Sequence, residues 1–99
     1  MINTFESVKV LKVDKVADLS TNFAPASGKP FHIFINPKSE SSYEIGDVVV
    51  ITAKPTKNNT ATAVPVVIGD WNPVLFESIT AGAIDTTTND IYYSEVETY

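Results

Sequence analysis

Carboxylates are the most numerous reactive side chains in this 99-residue sequence, which has 12 Asp and Glu residues, one histidine and no cysteine. Paired carboxylates are needed for glycoside hydrolysis, but no spacing in the sequence forces two of them together. The absence of cysteine excludes a thiol nucleophile, a disulfide framework and the cysteine-based zinc sites. His32 has no nucleophile and no orienting partner in a recognisable pattern, so we interpret it as a packed or surface histidine. These features predict that the protein is not an enzyme, and a small hydrolase is the weakest alternative.

Two further patterns could bind something other than a protein. Asp85 and Asp90 bracket a run of threonines, as in an oxygen-ligand calcium loop, but the regular spacing of acidic residues in such loops is missing. The triplet Asn58-Asn59-Thr60 matches a glycosylation acceptor and is most simply the tip of a hairpin. We therefore predict no metal and no cofactor.

Aromatic side chains are more informative candidates for binding. Trp71 lies beside Asn72 in a predicted turn, where a large apolar ring must be covered by its own barrel, by a partner or by a sugar ring stacked on it. Tyr92 and Tyr93 are adjacent in a predicted strand and point to opposite faces, so we expect one of them to contact another chain. With Phe76 of the preceding predicted strand, these make five candidate partner-contact residues: Trp71, Asn72, Phe76, Tyr92 and Tyr93.

Charge is divided unevenly along the chain, whose formal net charge is -5. All seven lysines lie at or before Lys57 with six acids, giving +1, whereas the rest of the chain has six acids and no lysine, giving -6. This division indicates either a solvated acidic face or an acidic end that meets a basic end of a neighbouring subunit. Arginine is absent, so we expect no nucleic-acid partner. The longest apolar stretch, Val48–Ile51, is far shorter than the ~20 residues that span a bilayer, so no membrane partner is expected.

Composition predicts an all-β protein. Val, Ile and Thr account for 32 of the 99 residues, whereas Leu occurs only 3 times. Such β-branched side chains lose rotamer freedom in helices and pack well on a pleated sheet. Turns rich in Pro, Gly and Asn separate about six or seven short strands, which predicts a small antiparallel β-sandwich or barrel with residues 1–99 as a single domain.

The strand pattern is clearest in the middle of the chain. Phe31–Asn36 alternates two apolar faces and ends at Pro37, so we expect this strand to be covered on both sides. Val48–Ala53 and Thr60–Ile68 predict a hairpin. Because Pro65 cannot donate to the ladder, it places the second strand of this hairpin at an edge or at a bulge.

The remaining strands are shorter or less regular. Val74–Ile79 and Ile91–Tyr93 follow turns and predict the last two strands, and residues 20–30 predict a long loop. Near the start of the chain, Val8–Val13 fits both strand and helix spacing. We favour a strand with a bulge near Leu11.

The segment Ala63–Ile79, followed by Ala81–Tyr93, resembles small virion proteins of tailed bacteriophages, namely spike-base, head-fibre and capsid-decoration β-domains. The shared pattern is an apolar strand with a Pro-Val pair, a returning strand, and an ending of the Ala/Gly-Thr-Thr-x-x-Asp-Ile-x-x-Tyr type. Head-fibre proteins of crAss-like phages are the nearest candidate. The resemblance implies a structural homotrimer that is assembled in the host cytoplasm and attached to a capsid or to a fibre base. It implies no catalytic residues.

A second function fits the same aromatic residues. Trp71, Tyr92 and Tyr93, with neighbouring Asn and Asp groups, could bind sugar rings in a carbohydrate-binding or adhesin-like β module. In both interpretations the chain is non-catalytic. The isolated protein is expected to be an oligomer, because a core of this size should leave apolar surface for neighbouring copies to cover.

Overall fold

A computed structural model describes residues 12–96, and that range contains six β-strands and no helix. The strands are β1 (Val13–Lys15), β2 (Phe31–Pro37), β3 (Val48–Pro55), β4 (Thr62–Val67), β5 (Phe76–Ile79) and β6 (Asn89–Glu95). All pairings are antiparallel within one sheet, in the order β1-β6-β2-β5-β3-β4. The prediction of a small antiparallel all-β fold is confirmed. The strand predicted for Val8–Val13 overlaps β1 at Val13, whereas residues 8–11, including the bulge predicted near Leu11, lie outside the described residues.

The sheet turns back on itself between β2 and β5. These two strands share only the Phe31–Phe76 pair, whereas β2 pairs with β6 over the whole of its length. Beyond β4, the chain returns to the free side of β2: Gly69 N–H donates to the Ile35 carbonyl oxygen at 2.9 Å and Asn72 N–H donates to the Ile33 carbonyl oxygen at 3.0 Å. The returning segment thus closes the sheet around a single core.

The core is built from the inward side of each strand. In β2, Phe31, Ile33 and Ile35 are all 0% exposed, as their alternation predicted. Between the strands, Leu19 and Ile84 close the core from loop segments. Within residues 12–96, the buried apolar cluster consists of Val16, Leu19, Phe31, Ile33, Ile35, Ile51, Ala53, Val64, Val66, Ile68, Phe76, Ile79, Ile84 and Ile91.

The hairpin of β3 and β4 confirms the interpretation of Pro65, because β4 lies at an edge of the sheet. Both backbone polar groups of Val67 bond to the side chain of Asn72, so they point away from β3. In an antiparallel ladder this direction alternates, and Pro65 and Ala63 therefore also direct their backbone groups outward. Since proline has no N–H, the free edge of β4 lacks a donor at Pro65.

Gly69 shapes the segment that returns from β4 to β2. Its φ of 84° lies in the left-handed region that favours glycine. A Cβ added here would lie 2.8 Å from Cγ2 of Ile45, which covers the glycine. At this turn the backbone lies so close to the Ile45 side chain that a residue with a Cβ would displace it, so glycine is required.

Candidate functional site

Two apolar surfaces lie on the outside of the sheet, and the first is built around aromatic rings. On the outer side of β6 and β2, Tyr92 is the cross-strand partner of Phe34, and a further bridge places Trp71 next to Phe34. The Phe34 and Trp71 ring centroids are 5.5 Å apart and the ring planes are tilted by 59°. Together with Val13 of β1, these residues line a shallow depression of about 270 Å³. We call Val13, Phe34, Trp71 and Tyr92 the aromatic face.

A second depression of about 270 Å³ lies on the other side of Trp71, where it is lined by His32, Asn72, Pro73 and Ser94. Nδ1 of His32 is 2.8 Å from the backbone carbonyl oxygen of Asn72. A carbonyl oxygen only accepts, so Nδ1 carries the proton and, in the neutral ring, Nε2 is an acceptor. This contact matches the expectation of a packed histidine.

Asn72 is a structural residue. Its side chain is buried, with 4% of the residue exposed. The side-chain oxygen accepts the Val67 N–H at 2.8 Å, while Nδ2 lies 3.2 Å from the carbonyl oxygens of both Val67 and Asp70 and 3.4 Å from that of Ile33. Asn72 thereby joins β4 to β2, and its side chain has no free surface for a partner to contact.

Phe76 and Tyr93 also face inward. Phe76 is 0% exposed, because alternation along β5 directs it into the core opposite Phe31. The Tyr93 ring packs against Phe23, with 4.8 Å between ring centroids, and burial raises the pKa of its hydroxyl. Tyr92 lies on the opposite face, as predicted. Of the five candidate contact residues, Trp71 and Tyr92 are therefore the two that face outward.

The second apolar surface is the outer side of β3 and β4. Its six side chains form three cross-strand pairs and all are exposed; they are Val48 with Val67, Val50 with Pro65, and Thr52 with Ala63. We call these six residues the valine face. Val48 and Val50 are 66% and 65% exposed, and Ile45, which lies over Gly69, is 73% exposed. Exposed apolar residues clustered in this way mark an interaction surface more often than scattered ones do.

Sequence reasoning missed the valine face. Val48–Ile51 is apolar at every position, and such a run carries no alternation to show which face is covered. The available signal was the alternation in β4, which places Val64 and Val66 on one face and Pro65 and Val67 on the other.

Basic residues flank the aromatic face. Nζ of Lys15 is 2.9 Å from Oδ1 of Asp90, and Nζ of Lys38 is 3.7 Å from the same oxygen. The hydrogen bond from Lys15 lowers the pKa of Asp90 and the same contact raises the pKa of Lys15. Two lysines thus share one carboxylate, which leaves this end of the aromatic face with one positive charge in excess.

Acidic residues flank the valine face. Glu44, Asp47 and Asp70 are exposed near the start of β3 and the end of β4, and none of them forms an ion pair with a lysine of residues 12–96. Elsewhere the lysines, all at or before Lys57, partly neutralise the acidic residues that follow them in the chain, since Lys54 pairs with Glu77. The end of the valine face near Glu44 and Asp47 and the end of the aromatic face near Lys15 and Lys38 therefore carry charges of opposite sign. Asp70 accepts a hydrogen bond from the Trp71 N–H and lies next to the aromatic face.

Within residues 12–96, no group of three or more His, Asp or Glu side chains is arranged to hold a metal ion. The same part of the chain has no helix with the length and hydropathy needed to span a membrane. Comparisons with protein-family models, with curated proteins and with solved structures find no match to this chain.

Proposed function

We propose that this chain is a non-catalytic structural protein of a tailed-phage virion, in which three copies form a head-fibre or capsid-decoration component attached to the capsid or to a fibre base. The observation that supports self-association is the valine face, in which Val48 and Val50 are about two-thirds exposed. The resemblance of Ala63–Ile79 and Ala81–Tyr93 to virion β-domains supports the proposal that this assembly is part of a virion.

The energetic reason for self-association is the apolar area on the two faces. Removing apolar surface from water contributes roughly 25 cal/mol per Å². The valine face has no charged side chain among its six members, so covering it costs little desolvation. The free edge of β4 is less suited to a partner strand because Pro65 offers it no donor. The geometry therefore favours contact through faces over extension of the sheet.

The presence of two different apolar faces on one chain is consistent with a trimer. A closed ring of three copies requires heterologous contacts, in which one surface of a copy meets a different surface of the next. The valine face and the aromatic face supply two such surfaces on one chain. A protein with one self-complementary face would form a dimer instead.

Val50→Asp is expected to weaken the oligomer while the fold persists, because Val50 is 65% exposed and a carboxylate buried in an apolar contact is costly. Size-exclusion chromatography with light scattering should give about three times the chain mass of 10.8 kDa for the parent protein, and a lower mass for the variant at the same concentration. Asn59→Asp, at the exposed turn before β4, is the matched control and should keep the mass of the parent. A parent protein that is monomeric at every concentration would refute the proposal.

Carbohydrate binding is the second candidate function, favoured by the depression between Trp71 and His32. An indole ring beside an imidazole acceptor offers a stacking surface and a hydrogen-bond partner for a sugar hydroxyl. If this function is correct, Trp71→Ala abolishes the retention of the folded protein on glycan arrays. Equal retention of parent and variant would exclude Trp71 as the sugar platform.

A further inference from the structure

We infer that the copies join head to tail, with the valine face of one copy packed on the aromatic face of the next. This inference rests on the self-association proposed above and names the two surfaces that meet. Within residues 12–96, the valine face is exposed and the aromatic face is partly exposed, and together they include the exposed apolar residues Val13, Val48, Val50 and Val67. A head-to-tail contact covers both faces in every copy, whereas contact between two identical faces leaves the other kind exposed.

Side-chain shape supports this pairing. Val48 and Val50 project from alternate positions of β3 as short branched groups on a pleated surface. Trp71 lines two shallow depressions of about 270 Å³ each, one on the aromatic face and one beside it. Small branched groups seated on either side of an aromatic ring give the dense packing found at the centre of stable interfaces, where aromatic residues are enriched.

Charge supports the same pairing. Glu44 and Asp47 lie at one end of the valine face, and Lys15 and Lys38 lie beside the aromatic face. A head-to-tail contact can bring these opposite charges together at its rim. Two aromatic faces packed on each other would instead bring together two positively charged rims. Complementary rim charges of this kind mainly accelerate association and select the correct partner surface.

One competing arrangement of the copies also brings opposite charges together. Two valine faces packed antiparallel would place the acidic end of one hairpin near Lys57, which is exposed at the tip of the other. That arrangement gives a two-fold dimer and leaves both aromatic faces uncovered. The head-to-tail and antiparallel contacts predict different residues at the interface, so covalent cross-linking distinguishes them.

The test uses the absence of cysteine from the chain. Val50→Cys introduces a thiol on the valine face and Val13→Cys introduces one at the 46% exposed position of the aromatic face. The two variants, one carrying a mass tag, are mixed, allowed to exchange subunits and treated with a short bis-maleimide. We expect most of the covalent product to join one Val13→Cys chain to one Val50→Cys chain, and each variant alone to stay mainly uncross-linked. Ala26→Cys, in an exposed loop, is the matched control and should give only background product with either variant.

A chain that carries both substitutions provides a second readout. Head-to-tail contacts around a ring should convert it into a covalently closed trimer on a denaturing gel, whereas an open filament gives a ladder without a dominant trimer. Cross-linking of Val50→Cys to itself as the main product would overturn the inference in favour of the antiparallel dimer. If light scattering shows a trimer but cross-linking stays at background level, the inferred pairing of the two faces is overturned. The proposed trimer is not affected by that result. A monomeric parent would instead refute the proposed function itself.

Discussion

Replacing Asn72 with leucine is expected to lower the free energy of unfolding by about 3 kcal/mol, because buried polar groups left without partners each cost roughly 1–3 kcal/mol. The N–H and carbonyl of Val67 lose the side chain that bonds to both of them, and the carbonyl of Asp70 loses a donor. The closure between β4 and β2 weakens at the same time. Urea unfolding followed by tryptophan fluorescence measures the loss, and Asn59→Leu at the exposed turn before β4 serves as the control. A change below about 1 kcal/mol, the net contribution of one ordinary hydrogen bond, would contradict the role assigned to Asn72.

The variant Asn72→Asp separates hydrogen bonding from packing. A carboxylate at this position keeps an acceptor for the Val67 N–H but faces the carbonyl oxygens of Val67 and Asp70 without a donor. The folded state therefore raises the pKa of the new carboxyl above its unfolded value of about 3.9. Because the folded state then binds the proton more tightly, the stability of the variant relative to the parent is greatest below the unfolded pKa and falls as pH rises through the folded pKa. A difference that is independent of pH would mean that only packing is lost.

Phe31→Ala is expected to have the largest effect in the core, about 4 kcal/mol, which is typical of removing a fully buried aromatic ring. The Phe31 ring lies 5.5 Å from Phe23, 6.2 Å from Phe76 and 5.7 Å from Tyr93 between centroids. The residue also forms the one pair that joins β2 to β5. A domain this small has little stability in reserve, so the variant should be largely unfolded at room temperature.

Two companion variants keep this prediction measurable. Phe31→Leu fills most of the volume and should cost about 1.5 kcal/mol, a loss that a urea titration resolves. Phe34→Ala removes the same ring from the other side of β2, where the side chain is only half-buried, and should destabilise the protein less than Phe31→Ala does. Equal effects at positions 31 and 34 would contradict the assignment of the core to one side of the strand.

The sequence predictions that the structure confirms rest on properties of single residues and of short segments. Alternation in Phe31–Asn36 placed Phe31, Ile33 and Ile35 together on one side of β2, and Pro65 indicated that β4 is an edge strand. Both inferences depend on the period of a strand and on the missing N–H of proline, which are properties of the residues themselves. Adjacent Tyr92 and Tyr93 were assigned to opposite faces for the same reason.

The features that sequence reasoning missed depend on how distant segments meet. The Asn72 side chain bonds to backbone groups of Ile33 and Val67, and nothing in the turn itself shows that β2 will lie beside it. The strand around Phe76 has apolar residues on both sides, so its inward direction follows only from its pairing with Phe31. The valine face was missed because four consecutive apolar residues give no preference for either side.

The proline in β4 has a consequence for a protein whose copies would be held close together. A strand from another molecule laid against this edge would find no donor at Pro65, in the middle of β4. Amyloid growth needs an unbroken row of donors and acceptors from one layer to the next, and segments that form it contain no proline. Neighbouring copies can therefore meet through their side chains at high local density without seeding fibrils from this strand.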